Sequence, residues 1–408
     1  MAGGERSLQR IGERLRAIGL VLLLLLVMAG CEGGSGDGVN GDNEVSGVNG
    51  DNEGDGGNGV GGPLHGEGAL PQDGGAHSPA ASPQGNSHGE DLERPIKIGF
   101  SMDTLLEERW AKDRELFRQS VEALGAEVEI YASNGDDALQ IMQAETMISG
   151  GIDLLVIVPH NAEATAAIVK KAHSSGVKVI AYDRLVKNAE IDLYVSFDNV
   201  LVGELQAQAI TKLVPRGKYV YIGGAETDNN AHLFKEGVFN VLQPMIDSGE
   251  IKVVYDQWTK DWTPANAKLN MEAALKANRN DIDAVIAAND GTASGVIAAL
   301  EAHGLAGSIP VAGQDAELAA AQRIVGGTQT MTVYKPIHEL TLKAAELAVM
   351  MARGEMPAAD RKVNNGKIEV PSVLLAPIAV DKSNIDETII KDGFHTRQDV
   401  YRYAPPAR

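Results

Sequence analysis

From Pro95 onward the chain alternates short apolar runs with amphipathic stretches of ten residues or more, and this alternation constrains the fold more than any other feature. Ile96–Ser101, Glu127–Ala132, Leu154–Val158, Lys178–Tyr182 and Asp192–Phe197 read as strands, bounded by Gly, Pro or charge. Between them Glu107–Leu124, Ala138–Ile148 and Glu163–Ala172 read as helices; Phe117, Val121 and Leu124 show the spacing. Strands joined through helices of that length form right-handed crossovers and a parallel sheet. The expected class is α/β.

The pattern then runs a second time. Val200–Val214, Ala231–Asp247, Pro264–Ala277, Thr292–His303 and Leu318–Val325 read as helices around strands at Tyr219–Gly223, Lys252–Asp256, Ala284–Ala287, Val311–Gly313 and Thr330–Tyr334. Pro336 opens one more helix, to about Arg353, and Val373–Leu375 reads as a late strand. Two successive units of similar size imply two similar Rossmann-like lobes with a cleft between them. One run shows where that cleft takes its chemistry. Lys178-Val-Ile-Ala-Tyr is a buried strand that stops abruptly in Asp183 and Arg184, and the carboxyl edge of an open α/β sheet is where ligands bind.

The first 93 residues have a different character. Met1 to Cys31 has four arginines, then an apolar core Leu20–Val27 with five consecutive leucines, then Met28-Ala29-Gly30-Cys31. This is the layout of an export signal ending in a lipoprotein cleavage motif, and the core is too short for a membrane span of about 20 residues. Cys31 is the only cysteine, so no intramolecular disulfide can form; it is the expected lipidation site, which would hold the protein outside the cytoplasm on the cell membrane. Residues 32–93 contain twelve acidic side chains and no Lys or Arg, which accounts for most of the net charge of -20. Rich in Gly, Asn and Asp, they read as a disordered tether of about 40 Å root-mean-square span. Their Asp-x-Asn texture lacks the twelve-residue spacing of a calcium loop, so no metal is expected there. The acidic balance argues against nucleic acid as a partner.

Several strand ends carry longer strings: Glu108–Arg114, Ala181–Arg184, Ser196–Asn199, Asp228–Ala231, Asp256–Trp258 with Trp262, Ala288–Asp290, Gly313–Asp315 and Gly327–Pro336. In this order, over about 300 residues from Ile96 to Phe394, the chain resembles the sugar-binding proteins of bacterial ABC importers, of the type I periplasmic fold. The resemblance implies a multi-strand hinge, with lobe 1 at 94–199 and about 336–372, lobe 2 at 200–335 and about 373–394, and a tail at 395–408. It implies a monosaccharide ligand, D-xylose first, a membrane permease as partner, a monomeric chain, no cofactor and no catalysis. The family's sugar contacts carry over to Arg109, Trp110, Asp183, Arg184, Asp228, Asn230, Trp262, Asn289, Asp315 and Lys335. His160, Glu226 and Thr227 depart from the family pattern at the edge of the implied pocket.

These residue types suit a sugar. Asp183, Asp228 and Asp315 accept, Arg109, Arg184 and Lys335 donate, and Asn230 and Asn289 do both; a pyranose hydroxyl needs both kinds. Trp110 and Trp262 offer flat apolar faces to the C–H surfaces of the ring. Asp290 is expected to cap the helix after it, leaving Asn289 for ligand, and Trp258 to belong to the core. A glycosidase using Asp183 and Asp315 as its carboxylate pair is disfavoured, because cationic neighbours should keep the pocket's acids ionised, with none raised. A lipoprotein that reports sugar to a membrane sensor kinase or chemoreceptor is the alternative role. A sugar-responsive repressor would need a helix-turn-helix segment, which is not evident.

Overall fold

In the computed structural model, residues 94–359 and 361–404 are described. The export segment, Cys31, the acidic stretch 32–93 and the last four residues lie outside them. Among the described residues no helix is long and apolar enough to cross a membrane.

Two sheets form. The first has the order β11-β12-β5-β4-β3-β1-β2, the second β13-β10-β9-β8-β6-β7. Strands β1–β5 are Lys97–Met102, Glu127–Ala132, Leu154–Ile157, Lys178–Tyr182 and Leu193–Phe197; β6–β10 are Gly217–Ile222, Ile251–Gln257, Ala284–Ala287, Val311–Gln314 and Met331–Tyr334. Both lobes therefore share the order 2-1-3-4-5, all parallel, with the reversal of winding beside β1 and beside β6. The central strands are buried along nearly their whole length because helices cover both faces of each sheet, which is why they read as unbroken apolar runs. Edge strand β2, with sequence EVEIYA, is only half-buried and correspondingly polar.

The stretch from Arg361 onward shows what the sequence left open. Arg361–Asn364 (β11) pairs antiparallel with Glu369–Leu375 (β12), which lies parallel beside β5 in the first sheet. Ile378–Asp381 (β13) pairs antiparallel with β10 in the second. The last crossing between lobes thus falls after Leu375 instead of near residue 373. With crossings at Asp198 and at Lys335–Pro336, three segments join the lobes. Within the C-terminal tail His395 and Val400 are buried, and Val400 packs with Ile385, Ile389 and Tyr334.

In lobe 2, helices α4 (Asn199–Leu213) and α5 (Asn229–Asp247) cross at two glycines. A Cβ on Gly203 would stand 2.0 Å from the Phe234 carbonyl oxygen, and one on Gly237 would stand 1.9 Å from that of Val200. Backbone cannot yield as a side-chain tip can. Gly203→Ala is expected to cost about 1–3 kcal/mol or more of unfolding free energy, measurable by denaturant titration; a loss under about 0.5 kcal/mol would mean that the helices separate freely.

Candidate functional site

The carboxyl edges of the two sheets face each other across a cleft, and the turns leaving them supply its lining. All ten residues singled out in the sequence are buried and line one cavity. Arg109 and Trp110 come from the start of α1 (Glu108–Ala123), after β1; Asp183 and Arg184 follow β4. From lobe 2, Asp228 and Asn230 follow β6, Trp262 lies beyond β7, Asn289 follows β8, Asp315 follows β9 and Lys335 follows β10. Glu107, Phe234 and Gln314 complete the lining.

Asp183 and Arg184, neighbours in sequence, do not pair with each other. Each reaches into the opposite lobe. Asp183 lies 2.9 Å from the Arg109 guanidinium and 3.9 Å from Lys335 Nζ, and its Oδ1 accepts from Asn230 Nδ2 at 3.0 Å. Arg184 lies 2.8 Å from Asp228 and 2.6 Å from Asp103. Arg109 also holds Asp113, one helical turn on, at 3.2 Å and reaches Asp315 at 3.5 Å; Lys335 pairs with Asp315 at 3.0 Å. Trp110 is flanked by both guanidiniums, with Arg109 Cζ 4.3 Å and Arg184 Cζ 5.2 Å from its ring centre. Every buried cation has at least two carboxylates, as burial of charge demands.

Three of the ten residues are held in strained backbone. Asp183 has φ 60°, Trp262 φ 57° and Asp315 φ 90°, where side chains with a Cβ are rarely found. The Asp183 turn is fixed because its carbonyl accepts from Tyr194 Oη at 2.8 Å, Ser196 Oγ at 2.6 Å and Asn230 Nδ2 at 3.2 Å. At Asp315 the next amide, Ala316 N–H, donates to Thr332 Oγ1 at 3.1 Å and the Ala316 carbonyl accepts from His395 at 2.7 Å. Trp262 rests on Gly224, where a Cβ would lie 1.9 Å from its ring. Such backbone directs the Asp183 and Asp315 carboxylates and the Trp262 ring into the cavity.

The electrostatics differ from residue to residue. Burial pushes the Asp183 carboxyl up, but Arg109, Lys335 and Arg184 outweigh it and hold the group below the ordinary aspartate value. Burial wins at Asp228, which is raised despite Arg184, and at Glu107, raised likewise. The sequence expectation of no raised acid in this pocket is therefore corrected at Asp228 and Glu107: one guanidinium shared with Asp103 cannot offset the desolvation of both, whereas at Asp103 His160 and Arg184 together outweigh burial and hold the carboxyl low. His160, on the rim, is raised by Asp103, 3.0 Å from its Nδ1.

A second correction concerns the helix α7 (Asp290–Ala302). Asn289, not Asp290, is its cap: Asn289 Oδ1 accepts from Thr292 N at 2.8 Å, and Thr292 Oγ1 accepts from Asn289 N in return. Asp290 lies one position further in, where Gln329, Thr332 and the Glu317 amide donate to its carboxylate; burial raises it to about 7. Asn289 still lines the cavity while capping. Trp258 keeps outside the cavity lining, packed on His232 and Lys235. Residues the sequence reading passed over are Asp113, Asp103 and Glu107. Arg109 and Asp113 at i, i+4 carried a signal; the other two, ahead of the helix, had none.

The rims of the cleft are bridged on both sides. Ala162 N–H donates to the Thr227 carbonyl at 3.0 Å, and Glu108 accepts from Leu318 N at 2.9 Å. Inside, three buried side-chain atoms of lining residues make neither a hydrogen bond nor an ion pair: Glu107 Oε2, Trp262 Nε1 and Gln314 Oε1. Buried polar atoms are nearly always satisfied, so this concentration marks a place where a polar ligand supplies the partner. Among the described residues no group of His, Cys, Asp or Glu is arranged to hold a metal ion.

Comparison with known proteins agrees with this architecture. Residues 98–356 match the periplasmic binding protein domain family. The D-xylose-binding periplasmic protein of Haemophilus influenzae is 53% identical over 316 residues, covering 78% of this chain and 94% of that protein. Its Escherichia coli counterpart of the same name is 52% identical over 307 residues, covering 75% and 93%. Among solved structures, a carbohydrate transporter solute-binding protein from Chloroflexus aurantiacus in complex with D-glucose superposes with a TM-score of 0.70 at 34% identity, covering 74% of this chain and 97% of that one. The relatives are binding proteins, not enzymes. With two lobes of identical strand order, a polar cavity where their carboxyl edges meet, and a family match over more than half its length, the chain belongs to the periplasmic binding proteins.

Proposed function

We propose that this protein is the extracytoplasmic receptor of an ABC importer, which captures a monosaccharide, D-xylose first, by closing its two lobes around it, and delivers it to a membrane permease. The observation that carries the reading is the buried cavity whose lining pairs acids and cations across the two lobes and yet leaves three polar atoms unsatisfied. A neutral polyol ringed with hydroxyls suits such a lining, since each hydroxyl both donates and accepts and no net charge has to be buried. Trp110 and Trp262 cover its C–H faces. The names of the two relatives at 52–53% identity support D-xylose among pentoses and hexoses. The export signal and Cys31 support a lipid anchor on the outer face of the membrane, with residues 32–93 as the tether.

About eight hydrogen-bonding groups, at a net of roughly 1 kcal/mol each, support micromolar affinity or better once ordering costs are subtracted. Titration calorimetry of the chain without its export segment is expected to show one D-xylose per protein at that affinity, ahead of ribose, arabinose, galactose and glucose. Heat from another sugar alone would move the ligand assignment and keep the capture mechanism. Silence from all five would reject the monosaccharide reading.

A further inference from the structure

A second cavity adjoins the first and shares with it Glu107, Arg184 and Trp262. Its remaining walls come from both lobes, with Thr104 and His160 on one side and Thr227 and Thr263 on the other. Glu107 therefore stands at the junction of two spaces. It is the residue before helix α1, and although its carbonyl accepts from Trp110 N at 3.1 Å, its side chain makes no cap to that helix. The side chain is buried, and Oε2 has no hydrogen-bond partner. The cation that acts on it, Arg184, is committed to Asp103 and Asp228.

An unsatisfied buried carboxyl oxygen costs about 1–3 kcal/mol, and the helix gains nothing from it. The groups around Glu107 are Arg184, which favours its ionised form, and Asp103 and Asp315, which with burial oppose it. Its proton is thus retained to higher pH than in an ordinary glutamate, and a neutral carboxyl can donate as well as accept. Asp183, Asp228 and Asp315 are each paired with an Arg or Lys. Glu107 differs from them in standing at the junction of two cavities with a carboxyl oxygen that no cation or donor holds.

Resting on the monosaccharide reading above, we propose that Glu107 is a specificity-determining ligand residue, whose carboxyl hydrogen-bonds the one ring hydroxyl of the bound sugar that is directed toward the second cavity. No carried-over family position includes it. It reads that hydroxyl by its presence.

The test is calorimetry of wild type, Glu107→Gln and Glu107→Leu with D-xylose and its four monodeoxy analogues. Glu107→Gln, which keeps a donor and an acceptor, is expected to stay within about threefold of wild type, and Glu107→Leu to lose roughly tenfold, or about 1.4 kcal/mol. For one analogue, the one lacking the hydroxyl that Glu107 contacts, Glu107→Leu and wild type should bind equally. Sugar-free Glu107→Leu should melt higher than wild type, because its buried unpaired oxygen is gone. Unchanged D-xylose affinity in Glu107→Leu would overturn the proposal alone. So would an equal loss on all four analogues, which would mark an indirect effect through the start of α1. If wild type bound no sugar, the proposal would fall together with the reading beneath it.

Discussion

Arg109→Met is expected to lower the unfolding free energy by about 3–5 kcal/mol and to weaken sugar binding by roughly 100-fold or more. Methionine preserves the length of the stem, so the packing survives and the charge alone is removed. That charge lies between Asp113 and Asp183 of lobe 1 and Asp315 of lobe 2, at 3.2, 2.9 and 3.5 Å. Without it three buried carboxylates share Lys335, whose amine is 3.0 Å from Asp315 and 3.9 Å from Asp183. Tyr182, which donates to Asp113, cannot neutralise it. The deficit should depend on pH. In the variant the stranded carboxyls have folded-state pKa values above their unfolded ones, so the folded state binds more protons and loses stability as pH rises. Denaturant titrations at pH 5 and pH 8 should show the larger loss at pH 8. A loss below about 1 kcal/mol at both would mean that water reaches these acids and that the cavity is wetter than its burial indicates.

Trp262→Ala should cost a comparable 3–5 kcal/mol, roughly, since it empties a buried indole site, and should weaken the sugar by tenfold or more. The indole is held on three sides. It lies against the bare backbone of Gly224, edge-on to Phe234 with ring centres 6.3 Å apart, and on a backbone at φ 57° that fixes where it points. Trp262→Phe should restore most of the stability and part of the affinity. Stability and affinity can be read from thermal melts with and without D-xylose. If Trp262→Ala lowers the sugar-free melt while the affinity stays as in wild type, the ring is a wedge in the core and has no stacking role.

The elements that sequence reading placed correctly are those with a strong local cause. Leu154–Ile157, Ala284–Ala287 and Lys178–Tyr182 are buried on both faces, so they had to be continuous apolar runs. Helix ends carried their own marks, as at Pro264 and at Gly327, the latter in the left-handed conformation that closes α8 (Leu318–Gly326). Strands β11 and β13 went unread for the opposite reason. Arg-Lys-Val-Asn and Ile-Ala-Val-Asp are short and half-exposed, and each is a strand only because an edge of an existing sheet offers it unpaired hydrogen-bonding groups. The exchange of roles between Asn289 and Asp290 is of the same kind. Either residue can cap a helix. The decision came from Gln329 and Thr332, about 40 positions away, which claim the Asp290 carboxylate.

The sequence by itself determined the doubled α/β class, the residues at the strand ends and the kind of chemistry they offer, because periodicity and residue type act over a few neighbouring positions. Tertiary structure alone decided who pairs with whom. Asp183 meets Arg109 and Lys335, Arg184 meets Asp103 and Asp228, and Glu107 is left with a carboxyl oxygen that nothing satisfies. Those outcomes depend on distances between loops separated by scores of residues, and on how much burial outweighs the cations there, neither of which any short stretch of chain encodes.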